Sequence, residues 1–509
     1  MQKPLFNWLG KRSAGALLHP SSLPGSQGIG TLNIQAYRFI DFLKKAGISH
    51  WQLCPLGPTG YGDSPYQCFS AFAGNPYLID LGELGEKQLL TGLELTTITH
   101  LPRQEVDYGA LYEQKWPLLK KAYKRFTESP RIKFGEHTFA GFKKAHAAWL
   151  NDYALFLALK DMHGGRTWTE WPSHLRNITS ARTSEEAKKL VSEIESHQFY
   201  QYIFFAQWER VKSYAKKHGV SIIGDIPIFV ATDSADVWSR PELFELDPAT
   251  GKPTAVAGVP PDYFSADGQL WGNPLYNWKN HEKENFAWWI SRLKAAFDLY
   301  DIVRIDHFRG FDEYWRIPLP ATTAKIGEWK KSPGIELFNA IKNAIPKAKI
   351  IAEDLGLLTP SVVELRKKTG LPGMGVLQFA FGGDESNLYL PHNLIENEVV
   401  YTGTHDNDTT LGWYHSANET TKDHVRRYLR VSGDDIAWDL IRCAYHSVSN
   451  LAIIPMQDIL NLPTQARLNT PGKSQGNWKW RMTDELLSHA LNSGAADYLN
   501  NLASSTNRI

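Results

Sequence analysis

Short apolar runs, separated by stretches with helical spacing, recur along most of this chain. Residues 14–19 (Ala-Gly-Ala-Leu-Leu-His) are the first such run and residues 48–53 (Ile-Ser-His-Trp-Gln-Leu) the second. Between them Phe39, Ile40, Phe42 and Leu43 share one helical face, and Gly47 ends the helix. Further apolar runs at 220–228, 300–305, 349–353, 376–379, 399–403 and 452–455 bring the predicted strands to eight. Helices are predicted at 286–297, 335–344 and 360–368, between these runs. Runs without a polar face suit strands buried on both sides. Eight β/α repeats in one sheet predict an α/β fold, a TIM-type (β/α)8 barrel.

Two stretches interrupt the alternation. Residues 84–218 are rich in Lys and Glu with helical periodicity, and read as a mainly helical insertion with solvated charged faces. Residues 230–278 are punctuated by Pro and Gly and rich in aromatics, and read as a structured, lid-like insertion. The expected division is 1–83 (first part of the barrel), 84–218 (helical insertion), 219–229 (a barrel strand), 230–278 (lid) and 279–509 (remainder of the barrel). The loop at 57–77 is too long and too rich in Tyr, Ser and Asn for a plain connector, which points to binding. Gly25-Ser-Gln-Gly-Ile-Gly30 lacks the glycine spacing of a dinucleotide fingerprint.

Composition narrows the chemistry. The 509 residues carry 55 basic and 54 acidic side chains, a net charge of +1 that gives no electrostatic case for nucleic acid or an anionic membrane. Three cysteines, Cys54, Cys68 and Cys443, are too few and scattered for a disulfide framework or zinc cluster. The N-terminal residues contain no apolar run long enough for a secretion signal, and no segment reaches the length of a membrane span. A reduced, cytoplasmic protein is expected. The 18 Trp and 21 Tyr residues offer flat apolar faces with polar edges, suited to sugar rings as well as to a large core. Trp51, Trp208, Trp288 and Trp289 fall within element patterns and are expected to pack.

The predicted strand ends carry Asp225, Asp306, Glu353 and the pair His405-Asp406. In TIM-type barrels that rim is the active site. Arg304 and Asp306, two apart on one strand, point the same way, so the arginine holds the carboxylate ionised and aimed. A structural ion pair would account for those two residues alone. It does not account for like charges from several strands on one rim, which destabilise a fold unless function requires them. A divalent cation is disfavoured by Arg304 and Arg309, and His307 and His405 lack paired metal spacing. Carboxylates, arginine, histidines and aromatic loops together suit neutral polyhydroxylated substrates.

Arg304-Ile-Asp-His307, Ala352-Glu-Asp354 and Thr404-His-Asp-Asn407 resemble the signature regions of the α-amylase clan. Longer stretches resemble one family of that clan. They are Asp63-Ser-Pro-Tyr-Gln67 with Ala73-Gly-Asn-Pro-Tyr77, Gly224-Asp-Ile-Pro-Ile228, Val259-Pro-Pro-Asp-Tyr-Phe264 and Gly476-Asn-Trp-Lys-Trp-Arg481. The family is glycoside hydrolase family 77, the amylomaltases or 4-α-glucanotransferases (disproportionating enzymes), and the likeness spans essentially the whole chain. It implies Asp306 as nucleophile, Glu353 as acid/base and Asp406 as a third carboxylate on the reacting sugar. It implies that Arg304, His307, His405 and Asp225 contact that sugar, with Tyr66 as a stacking platform and Ser64 nearby. Gln269, Trp271 and Asn477 would line the acceptor side. Maltooligosaccharides and other α-1,4-glucans would serve as donor and acceptor, with no metal and no cofactor, in a monomer or homodimer.

Two departures, Leu468 in Arg467-Leu-Asn469 and the segment Ser265-Ala-Asp267, are expected to lie away from the catalytic set and to affect acceptor preference. An α-glucan hydrolase of the same clan would differ only in what resolves the intermediate. A non-catalytic glucan-binding protein would keep the aromatics without needing all three carboxylates. Tyr61 is a candidate for a second glucan site.

Overall fold

The computed structural model describes residues 3–261, 266–356, 358–473 and 475–509, and of Tyr61 the backbone alone. The Tyr61 side chain and residues 262–265, which include all of Asp262-Tyr-Phe264 and Ser265, therefore lie outside the described residues.

The predicted apolar runs fold as eight strands: Ser13–Leu17, His50–Gln52, Ser221–Ile226, Ile302–Ile305, Ile350–Ala352, Gly373–Val376, Glu398–Tyr401 and Leu451–Pro455. Consecutive strands pair in parallel, except that the fifth and sixth share no ladder, and the first also pairs with the eighth. Between the fifth and sixth strands, Ala352 N–H donates to the Pro372 carbonyl at 2.9 Å. The result is a nearly closed TIM-type barrel.

Alternation along the strands separates two cores. Leu17, Ile223, Ile302, Ile351, Val376, Val399 and Ile453 pack together within the barrel. Their neighbours Ala16, Ile222, Val303, Ile350, Val400 and Ala452 face the surrounding helices. Among those helices, Ile34–Lys45 is capped by Asn33, whose side chain accepts from Gln35 N–H, and buries Phe39, Ile40, Phe42 and Leu43. Trp51, Trp208, Trp288 and Trp289 are all buried packing residues.

The sixth strand starts three residues before the predicted run, and residues 377–379 form a 3-10 turn instead. Two glycines hide the strand in the sequence. A Cβ at Gly373 would lie 2.3 Å from Arg366 Nη1 and 2.6 Å from Asp354 Oδ2, so close approach demands glycine there.

Residues 81–217 are helical for most of their length, with Tyr108–Glu128, Ala147–Met162 and Val191–Lys217 the long members. The last of these braces the 57–77 loop. Gln201 Oε1 accepts from Gly74 N–H at 2.7 Å, and its Nε2 donates to the Gly74 carbonyl at 2.8 Å. Gln201 is fully buried, so a doubly satisfied amide fixes the loop rather than leaving it free.

A second sheet, antiparallel and four-stranded, lies outside the β/α pattern that the sequence predicts. Ala255–Val259 pairs with both Gln269–Pro274 and Glu313–Pro318, and the latter pairs with Glu328–Lys331. The lid segment is thus joined to a hairpin that follows the fourth barrel strand. Among the described residues no helix is long and apolar enough to cross a membrane.

Candidate active site

The inward row of the barrel sets up the site. Asp225, Arg304 and Glu353 stand two residues beyond the interior residues Ile223, Ile302 and Ile351, so the pleat aims them along the same axis. Asp225 is delivered by a strand that needs Gly224, because a Cβ there would lie 2.1 Å from the Tyr300 ring. Arg304 is 3% exposed, and its Nη1 donates to Asp225 Oδ2 at 2.6 Å and to Asp306 Oδ1 at 3.0 Å. One guanidinium therefore fixes two carboxyl groups. Asp225 is fully buried, and burial pushes its carboxyl up to about 6, with Arg304 pulling the other way. Asp306 is more open, its side chain retaining 30% of its exposure. Asp306 is held without being sealed.

The chain turns sharply after Asp306. His307 adopts φ 53° and ψ 54°, a left-handed conformation that costs a non-glycine residue about 1–2 kcal/mol. That turn presents the His307 N–H to Glu353 Oε2 at 2.6 Å, while Leu355 N–H donates to Oε1 at 3.0 Å. Phe308 N–H donates to the Glu353 carbonyl at 2.8 Å, and Glu353 N–H to the Ile305 carbonyl at 3.0 Å. Glu353 is thus tied to the Asp306 loop through backbone and side chain alike. Burial first and the Asp306 carboxylate second raise its carboxyl to about 8, against Arg304 and the two amides. The Asp306 carboxylate contributes, but burial is the larger cause. A carboxylic acid that keeps its proton near neutrality beside a carboxylate held by arginine can protonate a leaving oxygen. The pH dependence follows: kcat/KM should fall as pH rises through about 8, as Glu353 loses its proton. An alkaline limb unchanged in Glu353→Gln would contradict the assignment.

The seventh strand brings the third carboxylate and the aromatics. His405 is buried, with its ring stacked on Tyr66 at 5.1 Å and its Nε2 3.3 Å from Asp406 Oδ1. Tyr66 also gives its hydroxyl proton to Asp225 Oδ2 at 2.7 Å, tying the 57–77 loop to the barrel rim. Ser64 Oγ accepts from Tyr66 N–H at 3.2 Å and shapes that loop. On the opposite flank, the Trp271 ring meets the edge of His307 at 4.8 Å, and Trp271 Nε1 donates to Gln269 Oε1 at 3.1 Å. Both belong to the Gln269–Pro274 strand, so the second sheet reaches the loop that follows Asp306. Asp225 Oδ1 and His307 Nε2 are buried without a hydrogen-bond partner among the described residues. Burial lowers the His307 imidazole to about 4, which leaves it neutral. Unpaired polar atoms at a carboxylate-rich rim are what a polyhydroxylated ligand would satisfy.

Asn477 differs from the rest. Its Oδ1 accepts from Thr470 N–H at 2.9 Å, and its Nδ2 donates to the Lys473 carbonyl at 2.8 Å. In this structure its amide is taken up by the backbone of Thr470 and Lys473. The next residue, Trp478, is the one that reaches the site, with its ring 5.8 Å from both Tyr66 and His405. Trp478 lies within the Gly476–Arg481 motif but is not among the residues the resemblance assigns to the site. The departure Leu468 makes no hydrogen bond to Asp406, but both of its neighbours do. Asn469 Nδ2 donates to Asp406 Oδ1 at 2.6 Å, and Arg467 Nη2 to the Asp406 carbonyl at 2.6 Å. Leu468 itself packs with Cys54 and Trp478 beneath Tyr66. Nothing in the spacing of 467–469 signals this contact, because Asp406 lies more than sixty residues earlier. Among the described residues no group of three or more His, Cys, Asp or Glu side chains is arranged to hold a metal ion.

Known proteins resemble this chain over most of its length. Residues 18–488 match the profile of glycoside hydrolase family 77, described as 4-alpha-glucanotransferase. The 4-alpha-glucanotransferase of Thermus thermophilus is 51% identical over 479 residues, covering 92% of this chain and 95% of that protein. That of Clostridium butyricum is 47% identical over 477 residues, covering 93% and 97%. A solved amylomaltase from Streptococcus agalactiae, in complex with acarbose, superposes with a TM-score of 0.93 at 39% identity, covering 98% of this chain and all of that one.

Proposed function

The chain belongs to the 4-alpha-glucanotransferases of glycoside hydrolase family 77, and from that premise we propose how its residues divide the work. The activity is transfer of an α-1,4-glucan segment from a donor to the 4-hydroxyl of an acceptor, through a covalent glycosyl-enzyme and two inversions. The observation that carries the assignment of roles is the pairing of Glu353, raised to about 8, with Asp306 under the Arg304 guanidinium.

In the first step Asp306 attacks the anomeric carbon and the glycosidic bond breaks. Glu353 gives its proton to the departing oxygen, which leaves as the new free 4-hydroxyl end. Bond formation neutralises the Asp306 carboxylate, so the field that held the proton on Glu353 weakens. Glu353, now ionised, takes the proton from the acceptor 4-hydroxyl as that oxygen attacks the anomeric carbon and Asp306 departs. Asp406, Asp225, Arg304, His307 and His405 hold the hydroxyls of the reacting sugar, and Tyr66 supplies an aromatic wall beside it. Asp225 Oδ1 and His307 Nε2 find their missing partners there. Trp271 and Gln269, on the Gln269–Pro274 strand, receive the acceptor sugar and limit access of water. Asn477 acts by tying the backbone of Thr470 and Lys473 to the residue before Trp478. Maltooligosaccharides fill both the donor and acceptor roles.

Pure maltotriose tests transfer. Glucose should appear together with maltooligosaccharides longer than the substrate, with little net gain in reducing ends. Glucose and maltose with rising reducing ends and nothing longer would mean that water, not sugar, resolves the intermediate.

A further inference from the structure

Asp406 is the most exposed of the proposed catalytic carboxylates, its side chain retaining 45% of its exposure. It sits on the loop after the seventh strand rather than on the inward row, so the barrel pleat does not aim it. Its backbone N–H donates to Thr404 Oγ1 at 3.3 Å, which fixes the main chain and leaves the carboxylate to be set by other groups. The titratable and charged groups facing it are His405 from its own loop, Arg467 from the 463–469 segment and the buried Cys54 thiol beneath. Among the described residues its one short side-chain hydrogen bond is the 2.6 Å contact from Asn469.

The segment carrying Asn469 is anchored from both sides. Thr464 Oγ1 donates to Asp408 Oδ2 at 3.0 Å, and Gln457 Nε2 to the Ala466 carbonyl at 3.3 Å. Arg467 then spans the gap: Nε donates to the Asn469 carbonyl at 2.8 Å while Nη2 reaches the Asp406 carbonyl at 2.6 Å. On the far side Trp478 N–H donates to the Leu468 carbonyl at 2.7 Å. The amide of Asn469 is therefore delivered from a built support, and Arg467 spaces the two loops at a fixed distance.

We propose that Asn469 is a positioning residue for 4-α-glucan transfer: its amide fixes one Asp406 oxygen, through a spacing set by Arg467, and leaves the other for the sugar hydroxyls. The proposal rests on the reading of Asp406 as a catalytic carboxylate. A carboxylate free to rotate binds the ground-state sugar in several poses but grips the transition state in few, so the loss should fall on kcat.

The experiment compares full-length N469A, N469D and D406N with the wild type in maltotriose transfer, recording kcat, KM, the pH profile and thermal unfolding. N469A should lower kcat by about 10- to 100-fold, the worth of a charge-assisted hydrogen bond, with KM little changed and the unfolding midpoint near wild type. N469D places a second carboxyl against Asp406, so the two share a proton and the acidic limb should move to higher pH. Wild-type kcat in N469A beside an inactive D406N would overturn the positioning role while sparing the reading of Asp406. Full activity in D406N would overturn both. Should N469A fail to fold, the acidic limb of N469D decides, and an unshifted limb overturns the proposal.

Discussion

Asp306→Asn should bind maltooligosaccharides with near wild-type affinity while turning them over about 10⁴-fold or more slowly, as when a covalent nucleophile is lost. The separation of binding from chemistry follows from the geometry. Asparagine keeps an acceptor for Arg304 Nη1, which lies 3.0 Å from the aspartate oxygen it replaces. Arg304 retains its shorter contact to Asp225, and Tyr66 retains its own, so the rim remains assembled. What is lost is the attacking oxygen anion and the field that helps keep Glu353 protonated. Calorimetric titration with maltooligosaccharide alongside a transfer assay separates the two effects. Activity within a few fold of wild type would remove Asp306 from the nucleophile's role.

Glu353→Gln should fail selectively. With maltotriose, where the leaving oxygen needs a proton, kcat should fall by about 10²- to 10⁴-fold. With an α-maltosyl fluoride donor, fluoride leaves without protonation, so the first step recovers. Added azide then attacks the glycosyl-enzyme without giving up a proton and releases a glycosyl azide. Glutamine keeps one carbonyl oxygen, which can accept one of the two amide hydrogens that meet Glu353 at 2.6 and 3.0 Å, while the backbone bonds from Phe308 N–H to the Glu353 carbonyl and from Glu353 N–H to the Ile305 carbonyl are untouched by the exchange. Equal losses on both donors, with no azide product, would show that Glu353 does not transfer the proton.

The parts of this molecule legible in the sequence are those where one local signal decides. Ser221–Ile226 and Ile302–Ile305 announce themselves by β-branched runs, and their next inward residues are Asp225 and Asp306's partner Arg304. The hairpin Glu313–Pro318 with Glu328–Lys331 gave little to read. Its outer strand, Glu-Trp-Lys-Lys, is exposed throughout and carries no alternation. Gly373–Val376 lacks a strand's apolar pattern because two of its four residues are glycines, one where Asp354 and Arg366 leave no room for a side chain and one packed against Leu394. The site divides in the same way. Carboxylates at strand ends follow from period and topology. The contact of Asn469 with Asp406 joins two loops that no periodicity connects, and Asn477 gives its amide to the backbone of Thr470 and Lys473, which only the folded chain brings within its reach.

The brace between Gly74 and Gln201 has a consequence for how the protein comes into being. The two residues are 127 positions apart, so a ribosome moving at about 5–20 residues per second makes the 57–77 loop roughly 6–25 s before its support. Closure waits longer still, because the first strand, Ser13–Leu17, pairs with the last, Leu451–Pro455. Near the end of the chain, Arg508 donates to the carbonyls of Ser13 and Asn450 at 3.1 and 3.3 Å. A nascent chain therefore carries this aromatic loop without its buried brace until the Val191–Lys217 helix is made, and completes the barrel only once Leu451–Pro455 has followed.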